Sequence, residues 1–381
     1  MREHSLMSND KNTKNSRAFD GHLREIDSLL KSGKLCGYWH SFNGGENIQL
    51  FEKKFASYVG TKDAIAISNG TTSIFVALLA CGVKRGDVVA VSPYTHVGSV
   101  APIVMAGAIP KFVDVDEFGN IDPNKIEGPV KAIVAAHQLG TPCNMGKLMK
   151  IAESKKIPLI EDSAQGTGAE YDGRKLGSIG DVGCFSIGGD MTKVISTGEG
   201  GIVTTNSEAI ATKCRNLRNH GETMGANYLC FNFRMPEILG LLGLIQMDRL
   251  EYQTEWQIRN AEYLISKLPK YLTVPKMPSN VKPAHYIVGC TFHEKLAGIS
   301  RTEFLELVKN AGFSSGLPRK NIGSGYRKLV CDLPFYSQYK TAPCPNAEEK
   351  TKTAVWIDYH RHPHTKNEID ALLDFLWSAE N

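Results

Sequence analysis

The sequence lacks long apolar runs, closely paired cysteines and a strong excess of charge. No stretch approaches the ~20 consecutive apolar residues of a membrane-spanning helix, so we expect no membrane segment. The nine cysteines are scattered, and no two have CxxC spacing. This argues against a disulfide framework and against a thiolate zinc site. Reduced thiols in a cytoplasmic protein are the simplest interpretation.

Positive and negative charges are nearly balanced. The 44 lysines and arginines exceed the 40 aspartates and glutamates by only four, which does not indicate a nucleic-acid or membrane surface. Residues 1–20 are polar and have no apolar segment like that of a signal peptide, so we expect a disordered tail. The 381 residues suit about two or three domains of ~100–200 residues each.

Short apolar strands alternate with helical patterns along much of the chain. We predict strands at residues 64–67, 88–92, 111–114, 131–136 and 158–161, and helices at 72–81, 97–106 and 148–154. This alternation predicts an α/β domain with a mostly parallel sheet covered by helices on both faces. A long apolar helix, residues 235–268, suits a core or a subunit interface.

The C-terminal part has a different pattern. Prolines interrupt the chain at Pro275, Pro278 and Pro283. A predicted strand at residues 286–292 and helices at 301–311 and 367–377 follow them. We therefore expect a large domain over residues 21–270 and a small α+β domain over residues 271–381.

Three motifs have residues suited to chemistry. The first is Ser68-Asn69-Gly70-Thr71-Thr72, between a predicted strand and a predicted helix. Free N–H groups and the helix dipole favour an anion such as phosphate at that position. An ordinary helix N-cap explains the same residues, because serine, threonine and asparagine are preferred there.

The second motif is the acidic pair Glu161-Asp162, at the end of a predicted buried strand. The carboxyl ends of parallel strands face the ligand crevice in open α/β sheets. An acid there can hold a protonated ring nitrogen. A solvent-facing acid or a helix N-cap is the alternative.

The third motif is Lys193, in the glycine-rich stretch from Gly183 to Gly201. A partly desolvated lysine has a lowered pKa and can form a Schiff base with a carbonyl. A surface loop lysine is the alternative. Together, a phosphate site, an acid for a ring nitrogen and a Schiff-base lysine are what a pyridoxal phosphate enzyme needs.

Read in order, these and further landmarks resemble the sugar aminotransferases of the DegT/StrS type, within the fold type I pyridoxal phosphate enzymes. The matching segments run from about Gly33 to the C-terminus. They include Ser68-Asn69-Gly70-Thr71, Pro93-Tyr94-Thr95, Glu161-Asp162-Ser163-Ala164-Gln165, Phe185-Ser186, Gly198-Glu199-Gly200-Gly201 and Asn232-Phe233-Arg234-Met235. The resemblance implies an aspartate aminotransferase-like fold, with a seven-stranded, mostly parallel sheet and a small C-terminal α+β domain.

The resemblance also implies roles for individual residues. Lys193 would form the Schiff base with pyridoxal 5'-phosphate and later move the proton between the substrate carbon and the cofactor. Asp162 would pair with the pyridine nitrogen, and Gln165 would lie near the ring hydroxyl. His96 stands where the family usually places an aromatic residue over the ring.

The phosphate is the remaining part of the cofactor. By the same resemblance, Gly70, Thr71 and Ser186 would hold it, and Asn232 would reach the phosphate of the neighbouring subunit's cofactor. That arrangement implies a homodimer with shared active sites. The segment from Ser186 to Lys193 is longer than the family usually has, and we assign Gly188 and Gly189 to the enlarged loop.

The resemblance favours an aminotransferase. L-glutamate or L-glutamine would donate the amino group, with pyridoxamine phosphate as the intermediate form of the cofactor. The acceptor would be a keto-sugar or ketocyclitol, and nucleotide-linked sugars belong to the alternatives. Two other functions stay open: a pyridoxamine-dependent deoxysugar dehydratase, disfavoured because Lys193 is retained, and a non-catalytic regulator with the same fold.

Two further groups of residues have competing explanations. His360, His362 and His364 have strand-like spacing and could share one face as zinc ligands, but no supporting acid is evident beyond Asp358. Exposed histidines on a strand are the alternative, so we predict no metal. Arg319 and Arg327 are candidate anion clamps, with solvated surface arginines as the alternative.

Overall fold

The structure is a computed structural model that describes Phe19 and residues 21–38, 41–189, 193–221, 225–317, 320–361 and 364–379. The tail predicted for residues 1–20 lies almost entirely outside the described residues. Residues 190–192 of the enlarged loop, Arg319 and His362 also lie outside them.

The first nine strands build a large sheet and part of a small one. They are β1 (Asp63–Ile67), β2 (Val88–Val91), β3 (Ile109–Phe112), β4 (Ala132–Ala136), β5 (Leu159–Asp162), β6 (Glu170–Tyr171), β7 (Arg174–Lys175), β8 (Val182–Ser186) and β9 (Gly201–Thr205). Seven of them form one sheet in the order β1-β9-β8-β5-β4-β2-β3. Neighbours from β3 to β8 are parallel, whereas β9 is antiparallel to β8 and β1. The predicted mostly parallel, seven-stranded sheet is confirmed.

The helices of the same part of the chain are α1 (Leu23–Ser32), α2 (Glu46–Val59), α3 (Gly70–Ala80), α4 (Ala101–Met105), α5 (Met145–Lys155), α6 (Glu208–Arg218) and α7 (Glu237–Ser266). Of these, α2 to α6 pack directly on strands of this sheet. The single helix predicted over residues 97–106 is wrong. A 3-10 turn, Val97–Ser99, precedes α4, which has Pro102 in its first turn. Proline suits the start of a helix because it has no backbone N–H to donate within one.

The C-terminal residues form a second, antiparallel sheet. The strands of the C-terminal part of the chain are β10 (Leu272–Thr273), β11 (Val281–Lys282), β12 (Val288–Phe292), β13 (Ser314–Leu317), β14 (Lys320–Gly323) and β15 (Ala354–Asp358). Its helices are α8 (Glu294–Ala297), α9 (Arg301–Asn310), α10 (Pro345–Thr353) and α11 (Lys366–Ser378). The order in this sheet is β10-β12-β15-β14-β13, while β11 joins β6 and β7 in a small third sheet. Ala261 and Leu264 of α7 pack into the core of the second sheet. The domain boundaries predicted above stay a prediction.

The composition of the chain predicts reduced cysteine thiols and no membrane segment. All nine cysteines are free thiols, as expected. Among the described helices, none combines the length and the apolar character needed to cross a membrane.

The interpretation of the C-terminal histidines as exposed residues on a strand is wrong. Strand β15 ends at Asp358, so His360 and His364 follow it in irregular backbone, and both are buried. His360 donates from Nε2 to the backbone oxygen of His285 at 2.6 Å. The described residues contain no group of three or more histidine, cysteine or acidic side chains arranged to hold a metal ion.

Candidate active site

A cavity of about 570 Å³ opens at the carboxyl ends of the central parallel strands. It lies where open α/β sheets bind their ligands. Seven of the eight predicted site residues line it: Gly70, Thr71, His96, Asp162, Gln165, Ser186 and Lys193. These residues come from five separate segments of the chain, so the fold brings together what the sequence keeps apart.

The N-terminus of α3 forms one end of the cavity. Asn69 caps the helix by accepting the amide of Thr72 at 2.9 Å, and the Thr72 hydroxyl accepts the amide of Asn69 in return. The first amides of an α-helix have no acceptor within the helix. The cap engages the amide of Thr72, and the amides of Gly70 and Thr71 remain for a ligand. The N-cap and phosphate-site explanations are therefore compatible.

Gly70 lies against the end of β8. A Cβ atom on Gly70 would stand 2.6 Å from the Cβ of Ser186, closer than two side chains can approach. The absence of a side chain at Gly70 therefore lets the first turn of α3 and the Ser186 hydroxyl share one small region. Backbone amides and a hydroxyl in such a position suit a phosphate group.

The two acids at the end of β5 face opposite directions. Glu161 is fully buried and accepts the amides of Gly177, Ile179 and Gly180 at 2.7 to 2.9 Å. Burial acts to raise the pKa of Glu161, but hydrogen bonds from His137 and from these amides outweigh it and lower the pKa. Glu161 thus holds a loop behind the sheet and does not line the cavity.

Asp162 lines the cavity and is 5% exposed. Ser99 donates to its Oδ2 at 2.6 Å, and the amide of Ala164 donates to Oδ1 at 3.1 Å. Burial raises the pKa of Asp162, although these two hydrogen bonds oppose the rise. A buried carboxylate of this kind is stabilised by a positive partner placed beside it.

Lys193 lies in the connection between β8 and β9. The two strands extend beyond the sheet as a hairpin, in which Ile187 bonds to Gly200 and Gly189 bonds to Gly198. The Lys193 amine donates to the backbone oxygen of Gly188 at 2.9 Å. Burial, followed by the positive charge of Arg361, lowers the pKa of Lys193. Lys193 is half-buried and lines the cavity, and its predicted role as the Schiff-base lysine stays a prediction.

His96 and Gln165 line the same cavity as Asp162. The Nδ1 atom of His96 accepts the amide of Gly98 at 3.1 Å, so the neutral ring carries its proton on Nε2. Gln165 Oε1 accepts the amide of Leu139 at 2.7 Å, which fixes the orientation of the amide group. Their predicted positions over the ring and near its hydroxyl remain predictions.

Asn232 does not line the cavity in this chain. It forms an isolated bridge with Asn219, and its side-chain oxygen accepts from Nε of Arg234 at 2.9 Å. Its role toward a neighbouring subunit stays a prediction. Of the two candidate anion clamps, Arg327 is exposed, bonds to Ser324 and does not line the cavity. Arg319 lies outside the described residues.

Several residues of the site were missed by the sequence analysis. Ser99 and Thr95 follow β2, and Tyr286 comes from the segment that leads to the second sheet. The guanidinium of Arg361 lies 4.9 Å from the centre of the Tyr286 ring and is paired with Asp358. A hydroxyl pair at i and i+4 was the available signal for Thr95 and Ser99, whereas nothing in the sequence links Arg361 to Lys193.

Known proteins resemble this chain over most of its length. The sequence model of the DegT/DnrJ/EryC1/StrS aminotransferase family matches residues 23–374. The spore coat polysaccharide biosynthesis protein SpsC of Bacillus subtilis is 32% identical, over 94% of this chain and 95% of its own. The L-glutamine:2-deoxy-scyllo-inosose aminotransferase of Streptoalloteichus tenebrarius is 31% identical, over 77% of this chain and 74% of its own.

Solved structures agree with this relationship. The aminotransferase from Psychrobacter cryohalolentis superposes with a TM-score of 0.85 at 28% identity, covering 96% of this chain and 97% of that one. DesI, solved in the presence of its TDP-sugar product, gives a TM-score of 0.83 at 25% identity, covering 97% and 92%. The family model and the relatives show that the chain is a transaminase. The chain belongs to the DegT/DnrJ/EryC1/StrS aminotransferase family, which depends on pyridoxal phosphate.

Proposed function

We propose that this protein binds pyridoxal 5'-phosphate and moves an amino group from L-glutamate or L-glutamine to the ketone of a sugar or cyclitol. The observation that carries the proposal is the single cavity that Asp162, Lys193 and the N-terminus of α3 share. The names of two relatives support the substrate class: one acts on a ketocyclitol with L-glutamine, and the other was solved with a TDP-sugar product.

The residues present fit this cofactor. Its phosphate is an anion, and the amides of Gly70 and Thr71 at the start of α3 suit one. Its ring nitrogen is basic, and Asp162 is a buried carboxylate without a lysine or arginine salt bridge among the described residues. Its aldehyde needs an amine, and Lys193 is the lysine that lines the cavity.

When bound, pyridoxal phosphate supplies an electron-withdrawing ring and a carbonyl that alternately takes up and gives away the amino group. Asp162 would hold the proton on the ring nitrogen, which keeps the ring electron-withdrawing. Lys193, with its lowered pKa, has more of the neutral amine at neutral pH and so can take a proton from the substrate carbon and return it. The α3 amides would bind the phosphate and keep the ring in place.

One cavity would serve both substrates in turn, so we expect ping-pong kinetics. The test is to load the purified protein with pyridoxal phosphate and add L-glutamate or L-glutamine separately. Transamination changes the cofactor's absorbance and releases the 2-oxo acid of the donor. The aminated protein is then mixed with a panel of keto-sugars and ketocyclitols, with and without a nucleotide, and the amine product is identified by mass. An unchanged spectrum with both donors would contradict the proposal.

We also propose a homodimer in which Asn232 acts on the partner's cofactor. The support is that Asn232 belongs to a family motif yet does not line the cavity of its own chain. Mixing Lys193→Ala and Asn232→Ala subunits tests it. If Asn232 acts across the interface, one site of each mixed dimer keeps both residues, and activity returns. If it acts within its own chain, the mixture stays as inactive as its parents.

A further inference from the structure

We propose that Ser99 is a positioning residue of the cofactor site: its hydroxyl, oriented by Thr95, holds the Asp162 carboxylate in the orientation that faces a protonated ring nitrogen. The proposal rests on the proposed function, since it needs a cofactor with its ring nitrogen beside Asp162. It assigns a role to the hydroxyls of Ser99, which stands in none of the sequence motifs, and of Thr95, which stands in one but was given no role there.

The directions of the hydrogen bonds follow from the groups involved. Ser99 Oγ lies 2.6 Å from Asp162 Oδ2 and 2.8 Å from Thr95 Oγ1. A carboxylate only accepts hydrogen bonds, so the single proton of Ser99 points to Asp162. Thr95 must then donate to Ser99. A hydroxyl that accepts one hydrogen bond donates another more strongly, so Thr95 strengthens the bond from Ser99 to Asp162.

Local structure brings the two hydroxyls together. Ser99 ends the 3-10 turn Val97–Ser99, and its backbone amide donates to the oxygen of His96 at 3.0 Å. This turn places Ser99 over Thr95, four residues earlier. The same turn is capped by the His96 side chain. One short segment therefore carries the predicted ring-facing residue and also the hydroxyl that orients the acid.

The two oxygens of Asp162 are held from different directions. Ser99 occupies Oδ2, and the amide of Ala164 occupies Oδ1, so the plane of the carboxylate is fixed before any ligand arrives. Thr95, Ser99 and Asp162 are all at most 5% exposed, which keeps competing water away. Fixing a charged group in advance lowers the cost of binding its partner.

Ser99 also favours the charged form of Asp162. Burial raises the pKa of Asp162, and Ser99 is the main group that opposes the rise. Removing the Ser99 hydroxyl therefore raises this pKa further, and protonated Asp162 appears at a higher pH. Titratable groups that interact electrostatically with Asp162 from the surrounding segments are His96, His137, Cys143, Cys184, Lys193 and Tyr326, and Glu199 lines the same cavity.

The test is to titrate pyridoxal phosphate into cofactor-free protein at several pH values and to compare Ser99→Ala with the unaltered protein. A hydrogen bond to a charged group is worth enough that we expect about tenfold to hundredfold weaker binding. The loss of affinity on acidification should begin at a higher pH in the variant. Because the surrounding titratable groups are the same in both proteins, the difference reports on Asp162. Ser99→Thr keeps the hydroxyl and should restore affinity.

Ser163→Ala is the matched control. Ser163 is next to Asp162, is fully buried, and its hydroxyl has no hydrogen-bond partner among the described residues. Removing it should leave the affinity and its pH dependence unchanged. Thr95→Val should lose less affinity for pyridoxal phosphate than Ser99→Ala. Thr95→Ser keeps the hydroxyl and should bind the cofactor as the unaltered protein does.

The two proposals fail in different ways. If the unaltered protein does not bind pyridoxal phosphate, the proposed function fails and this role fails with it. If it binds the cofactor but Ser99→Ala has the same affinity at every pH, the role of Ser99 alone is overturned. Equal losses in Ser99→Ala and Ser163→Ala, without rescue by threonine, would show a packing effect and also overturn it.

Discussion

Glu161 and Asp162 are neighbours in β5, yet their carboxylates lie on opposite faces of the sheet. Successive side chains of a strand alternate between its two faces. Glu161 therefore meets the amides of the loop behind the sheet, and Asp162 meets the cavity. The acid that holds a loop and the acid proposed to face the cofactor are thus adjacent in the sequence, and mutagenesis can distinguish them.

Asp162→Asn keeps the size of the side chain and removes its charge. We expect pyridoxal phosphate to bind about tenfold or more weakly, because a neutral amide cannot pair with a protonated ring nitrogen. Turnover should fall as well. A titration of cofactor and a steady-state assay measure the two effects.

Glu161→Gln is the control for that variant. The glutamine NH₂ would face backbone amides that are themselves donors, so we expect a loss of about 1–3 kcal/mol in the free energy of unfolding. Cofactor affinity should change far less than in Asp162→Asn. Equal losses of cofactor affinity in the two variants would contradict the assignment of Asp162, and not Glu161, to the cofactor.

Lys193→Ala should keep the fold and lose covalent attachment of the cofactor. The lysine donates a hydrogen bond to the backbone oxygen of Gly188, in the connection between β8 and β9 and outside the sheet, so we expect the sheet to stay intact without it. Borohydride treatment with pyridoxal phosphate, followed by denaturation and mass spectrometry, should find bound cofactor in the unaltered protein and none in Lys193→Ala. Lys54→Ala, which removes a surface lysine paired with Asp248, should behave like the unaltered protein. A reduced Lys193→Ala protein that still carries the cofactor's mass would refute the assignment.

Gly70→Ala should weaken the binding of pyridoxal phosphate by disturbing the contacts to its phosphate group. The added methyl group would stand 2.6 Å from the Cβ of Ser186, so the first turn of α3 must move away from β8. We expect a clear loss of affinity for pyridoxal phosphate and a smaller loss for pyridoxal, which has no phosphate. Gly323→Ala, whose Cβ would meet nothing closer than 3.7 Å, should bind both compounds normally. Equal losses for the two compounds would place the phosphate elsewhere.

His360 should make the protein sensitive to acid. Burial lowers the pKa of His360 to about 4, below the ~6.5 of an exposed histidine. The unfolded chain therefore takes up a proton between about pH 6.5 and pH 4 that the folded chain does not, so stability falls as the pH falls through this window.

At about pH 5 this difference is worth about 2 kcal/mol. His360→Gln keeps a donor for the oxygen of His285 but does not titrate. Urea unfolding at neutral pH and at about pH 5 should show a smaller loss of stability in the variant than in the unaltered protein. The same loss in both would mean that other groups cause the acid sensitivity.

The first five strands of the large sheet could be predicted from the sequence because each is a short apolar run next to a turn. Strands β8 and β9 were missed, since Gly183 interrupts one and polar threonines end the other. Their pairing with β5 and β1 makes them strands, and such tertiary context outweighs local preference. The β9 strand also explains why the sheet is not wholly parallel.

The site residues that belong to sequence motifs could be predicted, and the others could not. Gly70, Asp162 and Lys193 belong to patterns with a chemical reason for each residue. Ser99 belongs only to a pair of hydroxyls at i and i+4, and such a pair gains its role only when the 3-10 turn brings Ser99 to Asp162. Arg361 lowers the pKa of Lys193 from a distant part of the chain, and only the packing of the second sheet brings it there.

The pairing of β1 with β9 has a consequence for folding. These strands lie far apart in the sequence, and contacts of that kind form slowly because a long loop must close first. Gly70 follows β1, whereas Ser186 and Lys193 precede β9, so the two sides of the proposed phosphate site meet only when this closure is complete. Capture of the cofactor should therefore report that the large sheet has finished folding, and a fragment ending before β9 should fail to capture it.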